Sequence, residues 1–176
     1  EAVRGVRAYA TPGWPGPSDL FLDGNEGVEP DAAAVDRLGA AGTDVLRRDP
    51  STREREARIA EDHGVDASRV LVTAGADEAI DRVCRAMLGP GRTLVVPTPT
   101  FEMLPRYARL TGAEVVSPAW DDGPFPLDAV LGAIDSTTGV VGLVSPNTPT
   151  GLAISSDLLE RVSAAASEAV VLLDHA

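Results

Sequence analysis

From residue 70 onward, short apolar runs alternate with longer amphipathic stretches. The runs fall at residues 70–73, 93–96, 114–116, 140–144 and 170–173. Two of them, Val140-Val141-Gly142-Leu143-Val144 and Val170-Val171-Leu172-Leu173, carry no polar alternation. Runs of this kind suit parallel strands covered on both faces. Between the runs, apolar positions recur at helical spacing, as Ile80, Val83, Cys84, Met87 and Leu88 do on one face. Further helices are predicted over 31–41, 51–64, 124–134 and 157–166, with another carrying Tyr107 and Arg109, read as surface or interface residues. Asp31 is placed to cap the first. Ser51 and Glu54 have capping-box spacing at the second, and Gly64 ends it. Strands and helices in alternation predict an α/β fold: a mostly parallel sheet with helices on both faces.

The first thirty residues break this rhythm. Thr11-Pro12-Gly13-Trp14-Pro15-Gly16-Pro17 reads as an extended arm, with room for a short strand at 20–22. A chain of 176 residues can bury one good core, and length alone suggests one domain.

Composition narrows the partners. A net charge of −12 and a pI near 4.5 argue against nucleic acid or an anionic membrane as partner. The longest apolar stretches are strand-sized, too short to span a bilayer. No signal-like segment is present, and the single cysteine, Cys84, falls on the apolar face of its helix. A cytoplasmic location is the expectation. All 15 basic residues are arginine; the sequence holds no lysine.

Candidate chemistry collects where the strands end, because ligands of parallel sheets sit beyond the carboxyl ends. The run at 140–144 leads into Ser145-Pro146-Asn147-Thr148-Pro149-Thr150-Gly151, and the run at 170–173 delivers Asp174. One amide and one carboxylate would then face a common crevice. Ala74-Gly75-Ala76-Asp77-Glu78 opens a helix, and the unpaired N–H groups of a helix start suit an anion. Pro97-Thr98-Pro99-Thr100-Phe101 leaves another strand end. The aromatic ring there is notable in a chain with three Phe, two Trp and two Tyr.

These segments together resemble fold-type I, pyridoxal-phosphate-dependent aminotransferases, and within them the histidinol-phosphate aminotransferases. SPNTPTG resembles the SPNNPTG signature, with Thr148 in place of the second Asn, and VVLLDHA is similar to VVVDEAY. Asp23-Gly24-Asn25-Glu26-Gly27 is similar to the family's LNxNENP segment, and Leu46-Arg47-Arg48-Asp49-Pro50 to its RYPDP. The resemblance implies pyridoxal 5'-phosphate as cofactor. It implies that backbone N–H groups of Gly75, Ala76 and Asp77 hold the phosphate and that Phe101 stacks on the pyridine. Asn147 would donate to the phenolate oxygen, and Asp174 would keep the ring nitrogen protonated. Weaker implications are a substrate contact from Asn25 and a phosphate contact from Arg47 across a homodimer. His175, in place of the usual Glu, reads as neutral variation, its side chain directed elsewhere by strand alternation.

Family members are about twice as long, so the resemblance implies an N-terminal half: an arm and small-domain segment over 1–48, and an incomplete cofactor-binding large domain over 49–176. The implied reaction is amino transfer between an amino acid or amino-alcohol phosphate and a 2-oxo acid. Decarboxylation of a phosphorylated amino acid, and a non-catalytic partner domain that holds the cofactor or another phosphate, are the alternatives. The family's Schiff-base lysine, its second phenolate donor and its carboxylate-binding arginine all fall after Ala176. These residues by themselves are therefore expected to be inactive, with the missing groups lying outside this sequence. A separate chain that supplies those groups, or a degenerate relative that lacks them, would fit the same residues.

Overall fold

The structure, a computed structural model, describes residues 29–49 and 51–175 together with Gly16. Asn25, the arm and the short strand suggested at 20–22 lie outside the described residues. The described residues form two compact units, one reaching to Val72 and one running from Thr73 onward.

The first unit is helical. Helix α1 spans Ala32–Ala40, and the Asp31 carboxylate accepts from the Ala33 N–H at its start. A 3-10 turn, Thr43–Arg47, precedes helix α2 at Arg53–His63, which closes on Gly64 with φ of 63°. The capping box anticipated from Ser51 and Glu54 does not form: Thr52 is the N-cap and makes no side-chain cap bond. Its hydroxyl donates instead to Glu56 at 2.9 Å, and the same carboxylate oxygen accepts the Val72 N–H at 3.1 Å. The strand predicted at 70–73 is also absent. Leu71 is 62% exposed, and no strand of the described chain pairs with this segment. A strand requires a neighbour to receive its backbone groups; here the Glu56 side chain takes the Val72 donor instead.

The second unit carries the sheet. Strands β1 (Thr93–Val95), β2 (Glu114–Val116), β3 (Thr138–Val144) and β4 (Val170–Asp174) lie in the order β2-β1-β3-β4, all parallel. Helix α3 at Gly75–Met87 leads into β1, and α4 at Met103–Leu110, α5 at Leu127–Ala133 and α6 at Ser156–Ala165 connect the strands. All seven residues of β3 are buried. Its alternation sends Val140 and Val144 to one core, with Ile80 and Cys84 of α3 and Leu104 and Ala108 of α4. Val141 and Leu143 go to the other, with Val130 of α5 and Val162 of α6. Each fully buried Val or Leu contributes about 1.5–3 kcal/mol. The predicted parallel sheet with helices on both faces is what the chain forms.

Trp120 anchors the second core, 3% exposed, edge-on to Phe125 with ring centroids 5.3 Å apart. Tyr107, expected at the surface, instead packs half-buried on the first core. Burial, followed by the nearby Asp77 and Asp81 carboxylates, raises its phenol above the ordinary value.

Two glycines let β3 sit between the layers. A Cβ on Gly142 would stand 3.3 Å from a Leu104 methyl, and one on Gly139 only 2.5 Å from the Met87 carbonyl oxygen. Met87 ends α3 beside the start of β3, so α3 runs antiparallel to the strands. Its first turn therefore opens at their carboxyl ends.

Gly139→Ala is expected to cost about 1–3 kcal/mol, since a backbone oxygen cannot give way as a side chain can; urea unfolding measures it. Glu56 tests the bond that replaces the missing strand. Its carboxyl is held below the ordinary value of 4.5, first by the Val72 N–H and then by the Thr52 hydroxyl. A lowered value in the fold gives stability that is present above the ordinary range and lost as pH falls. Glu56→Gln should melt below the wild type at pH 7, and the gap should shrink as pH falls through 4.5 and below. A gap that stays constant with pH would contradict this.

Candidate active site

Loops and a helix start from the second unit converge at the carboxyl ends of the strands. Asp174 ends β4 in register with Val144, and its carbonyl accepts the Ser145 N–H at 2.9 Å. The residue is half-buried, and its backbone is thus bonded to the start of the loop that carries Asn147. Gly75 opens α3 with φ of 78° and open space around its Cα. A left-handed turn favours glycine, and the first-turn N–H groups of Gly75, Ala76 and Asp77 have no partner within the helix. Gly75 and Asp77 are exposed. The Glu78 carboxylate folds back onto the Ala74 N–H and also pairs with Arg82. The Ala74 bond, then Arg82, hold it below the ordinary carboxylate value. Phe101, just beyond β1, packs one side on the first core and stays partly open.

Asn147 differs from expectation. It is 2% exposed, and each of its polar groups has a protein partner. Its amide nitrogen donates to the Pro99 carbonyl and to the Thr150 hydroxyl, both at 2.9 Å. Its amide oxygen accepts the Thr100 hydroxyl at 2.7 Å. Its backbone N–H donates to Leu152 and its carbonyl accepts from Gly151. Both amide protons are thus committed, and neither is offered to a ligand. Thr148, the next residue, is exposed.

His175 is likewise not neutral. Its Nδ1 lies 2.6 Å from the Ser145 carbonyl oxygen. A carbonyl only accepts, so Nδ1 carries the proton, and an ionised Glu there would have no proton to give. The sequence reading missed this tie and the roles of Thr100 and Thr150. The signal for them was three hydroxyl or amide residues set among prolines, which resist β-ladder pairing and leave side chains to close the loops.

The remaining candidates lie elsewhere. Arg47 belongs to the first unit, where its guanidinium bonds Asp44 on the solvent-exposed 3-10 turn. Burial, then Asp81, pushes the Cys84 thiol up to about 11, which makes it a packing group and not a nucleophile. A hollow of about 200 Å³ sits at the opposite end of β3, beside Asp135 and Thr138. Asp135 is already engaged by the Thr137 and Thr138 hydroxyls. Among the described residues no helix is long and apolar enough to cross a membrane, and no group of His, Cys, Asp and Glu is placed to hold a metal.

The start of α3, the partly buried Phe101 and the strand-end Asp174 are thus carried by one parallel α/β unit. Residues 28–176 match the family described as aminotransferase class I and II, and the chain belongs to that family. It is 32% identical to the histidinol-phosphate aminotransferase of Erythrobacter litoralis over 181 residues, covering 99% of this chain and 49% of that protein. Against the enzyme of the same name from Staphylococcus epidermidis it is 39% identical over 127 residues, covering 72% and 36%. The solved N-succinyldiaminopimelate aminotransferase of Mycobacterium tuberculosis superposes with a TM-score of 0.67 at 26% identity, over 80% of this chain and 40% of that one. The histidinol-phosphate aminotransferase of Sinorhizobium meliloti, solved with pyridoxal-5'-phosphate, shares the fold with a TM-score of 0.75 at 18% identity, over 84% and 41%. The chain spans about half the length, or less, of the relatives it matches.

Asn147→Ala should cost about 1–3 kcal/mol, because it strands the Thr100 hydroxyl and the Pro99 carbonyl without partners. Denaturant unfolding measures it, and a neutral result would remove the closed amide from this description.

Proposed function

We propose that this chain forms the cofactor-holding part of a pyridoxal-phosphate-dependent aminotransferase of the histidinol-phosphate type. It would act as a cytoplasmic homodimer on a small amino donor and a 2-oxo acid. The observation that supports this reading is the half-buried Asp174 at the carboxyl end of β4, in the same parallel α/β unit as the α3 start.

The residues present fit the cofactor at three points. The exposed first turn of α3 offers N–H groups and the positive end of its dipole to the phosphate. Gly75 keeps that approach free of a side chain. The open face of Phe101 would cover the ring by offset stacking, worth about 0.5–1.5 kcal/mol beyond area burial. Asp174 would pair with the ring nitrogen and hold a proton there, since an adjacent negative charge favours the protonated, cationic form. Bound in this crevice, the cofactor supplies an electron sink for a carbanion at the substrate's α-carbon.

The fourth point changes the expected roles. Asn147 holds the loop instead of donating, and the exposed Thr148 hydroxyl is the donor this loop can offer to the ring's oxygen. Arg47 would serve a phosphate of the partner subunit only by exchanging Asp44 for it. The lysine that the reaction requires would come from outside these residues.

The lysine-free sequence favours one second reading, a partner domain that holds the cofactor or another phosphate without catalysis. Decarboxylation of a phosphorylated amino acid would use the same framework, and release of CO2 distinguishes it from amino transfer.

In the full-length protein, Asp174→Ala should lower kcat by about 10²–10³, the usual cost of removing one electrostatic stabiliser, while the melting temperature stays near wild type. Turnover at the wild-type rate would defeat the assignment of Asp174. Cofactor binding with no turnover in any amino-transfer or decarboxylation assay would select the partner-domain reading.

A further inference from the structure

The Thr100–Asn147 bond joins two loops that leave different strands. Thr100 follows β1 and immediately precedes Phe101; Asn147 follows β3. The hydroxyl donates to Asn147 Oδ1 at 2.7 Å, while the Pro99 carbonyl, which can only accept, decides which way the amide faces. With the oxygen turned to Thr100, the nitrogen must face Pro99 and Thr150, as it does. One buried side chain thus grips residues 99 and 100 on one loop and closes its own loop through residue 150. An amide turned the other way would set its nitrogen against the hydroxyl and its oxygen against the Pro99 carbonyl, two acceptors facing each other. Phe101 lies one residue beyond this grip, held by the core on only one side.

We propose that Thr100 is a positioning residue. By tying its own loop to Asn147, it fixes the segment that carries Phe101 and so sets the height of that ring beside the strand ends. The ring's role rests on the cofactor reading above, whereas the tie between the loops is a property of this chain alone. A β-branched residue suits the task because its Cβ substituents restrict χ1 and keep the hydroxyl aimed. Valine has nearly the same shape without the donor, and serine keeps the donor without the methyl group.

The test uses the full-length protein and its Thr100→Val and Thr100→Ser variants. Thr100→Val should raise the dissociation constant for pyridoxal phosphate about three- to tenfold, the worth of one neutral hydrogen bond. It should also change the induced circular dichroism of the bound cofactor. Thr100→Ser should restore both. Hydrogen exchange in the cofactor-free protein should speed up in Thr100→Val across both 97–104 and 145–152. Should Thr100→Val fail to fold, Thr100→Ala carries the same comparison with less crowding. Wild-type affinity and dichroism in the hydroxyl-free variant, or a serine variant that restores neither, overturns the proposal. A wild-type protein that takes up no pyridoxal phosphate defeats the cofactor reading instead. Exchange then decides the tie: faster exchange in both loops supports it, and unchanged exchange overturns it.

Discussion

Burial of β3 along its whole length is the constraint on which the second unit depends. A strand with both faces in apolar surroundings needs a helical layer on each side, and parallel neighbours supply those layers through their connections. Leu94, Val95, Val140 and Val141 are all fully buried between the layers. Close approach is possible only because Gly139 and Gly142 present no side chain to Met87 and Leu104. The direction of α3 follows from this packing. A helix antiparallel to the strands must open where they end, and so the α3 start and the strand-end residues lie at the same end of the sheet.

Two polar residues at the strand ends are committed to the protein itself. Asn147 is closed on every side by protein partners, and His175 is turned onto the Ser145 carbonyl. Asp174, Phe101 and the first turn of α3 retain exposed surface. Buried polar groups in an interior of low dielectric are stable only when fully paired, and a fully paired group is a poor ligand for anything else. The loops after β1 and β3 are fixed to each other by the buried Asn147, and the exposed His175 ties the residue after β4 to Ser145.

Much of this was legible in advance. Continuous apolar runs located all four strands, and the helical face of Ile80, Cys84 and Leu88 located the first core. The family was legible in motifs whose spacing depends on the ends of those strands. The failures have a common physical form. The run at 70–73 has strand composition, but strand formation depends on a neighbour, and composition carries no information about neighbours. Residue type suggests that Asn147 donates to a ligand; its bonds to Thr100, Pro99 and Thr150 depend on loops that residue type does not describe. His175 looked interchangeable with Glu until a carbonyl oxygen proved to be its partner. Tyr107 was placed at the surface because an amphipathic side chain sits comfortably on either side of a core boundary.

One edge of the sheet has a consequence for handling the protein. Among the described residues strand β4 is bonded only to β3, and all five of its residues are half-buried. Its outward row of amides and carbonyls is a template for another strand, and nothing in its sequence before Asp174 supplies the charge or proline that would discourage one. What is laid beside β4 therefore governs whether that row meets water, another segment or a second copy.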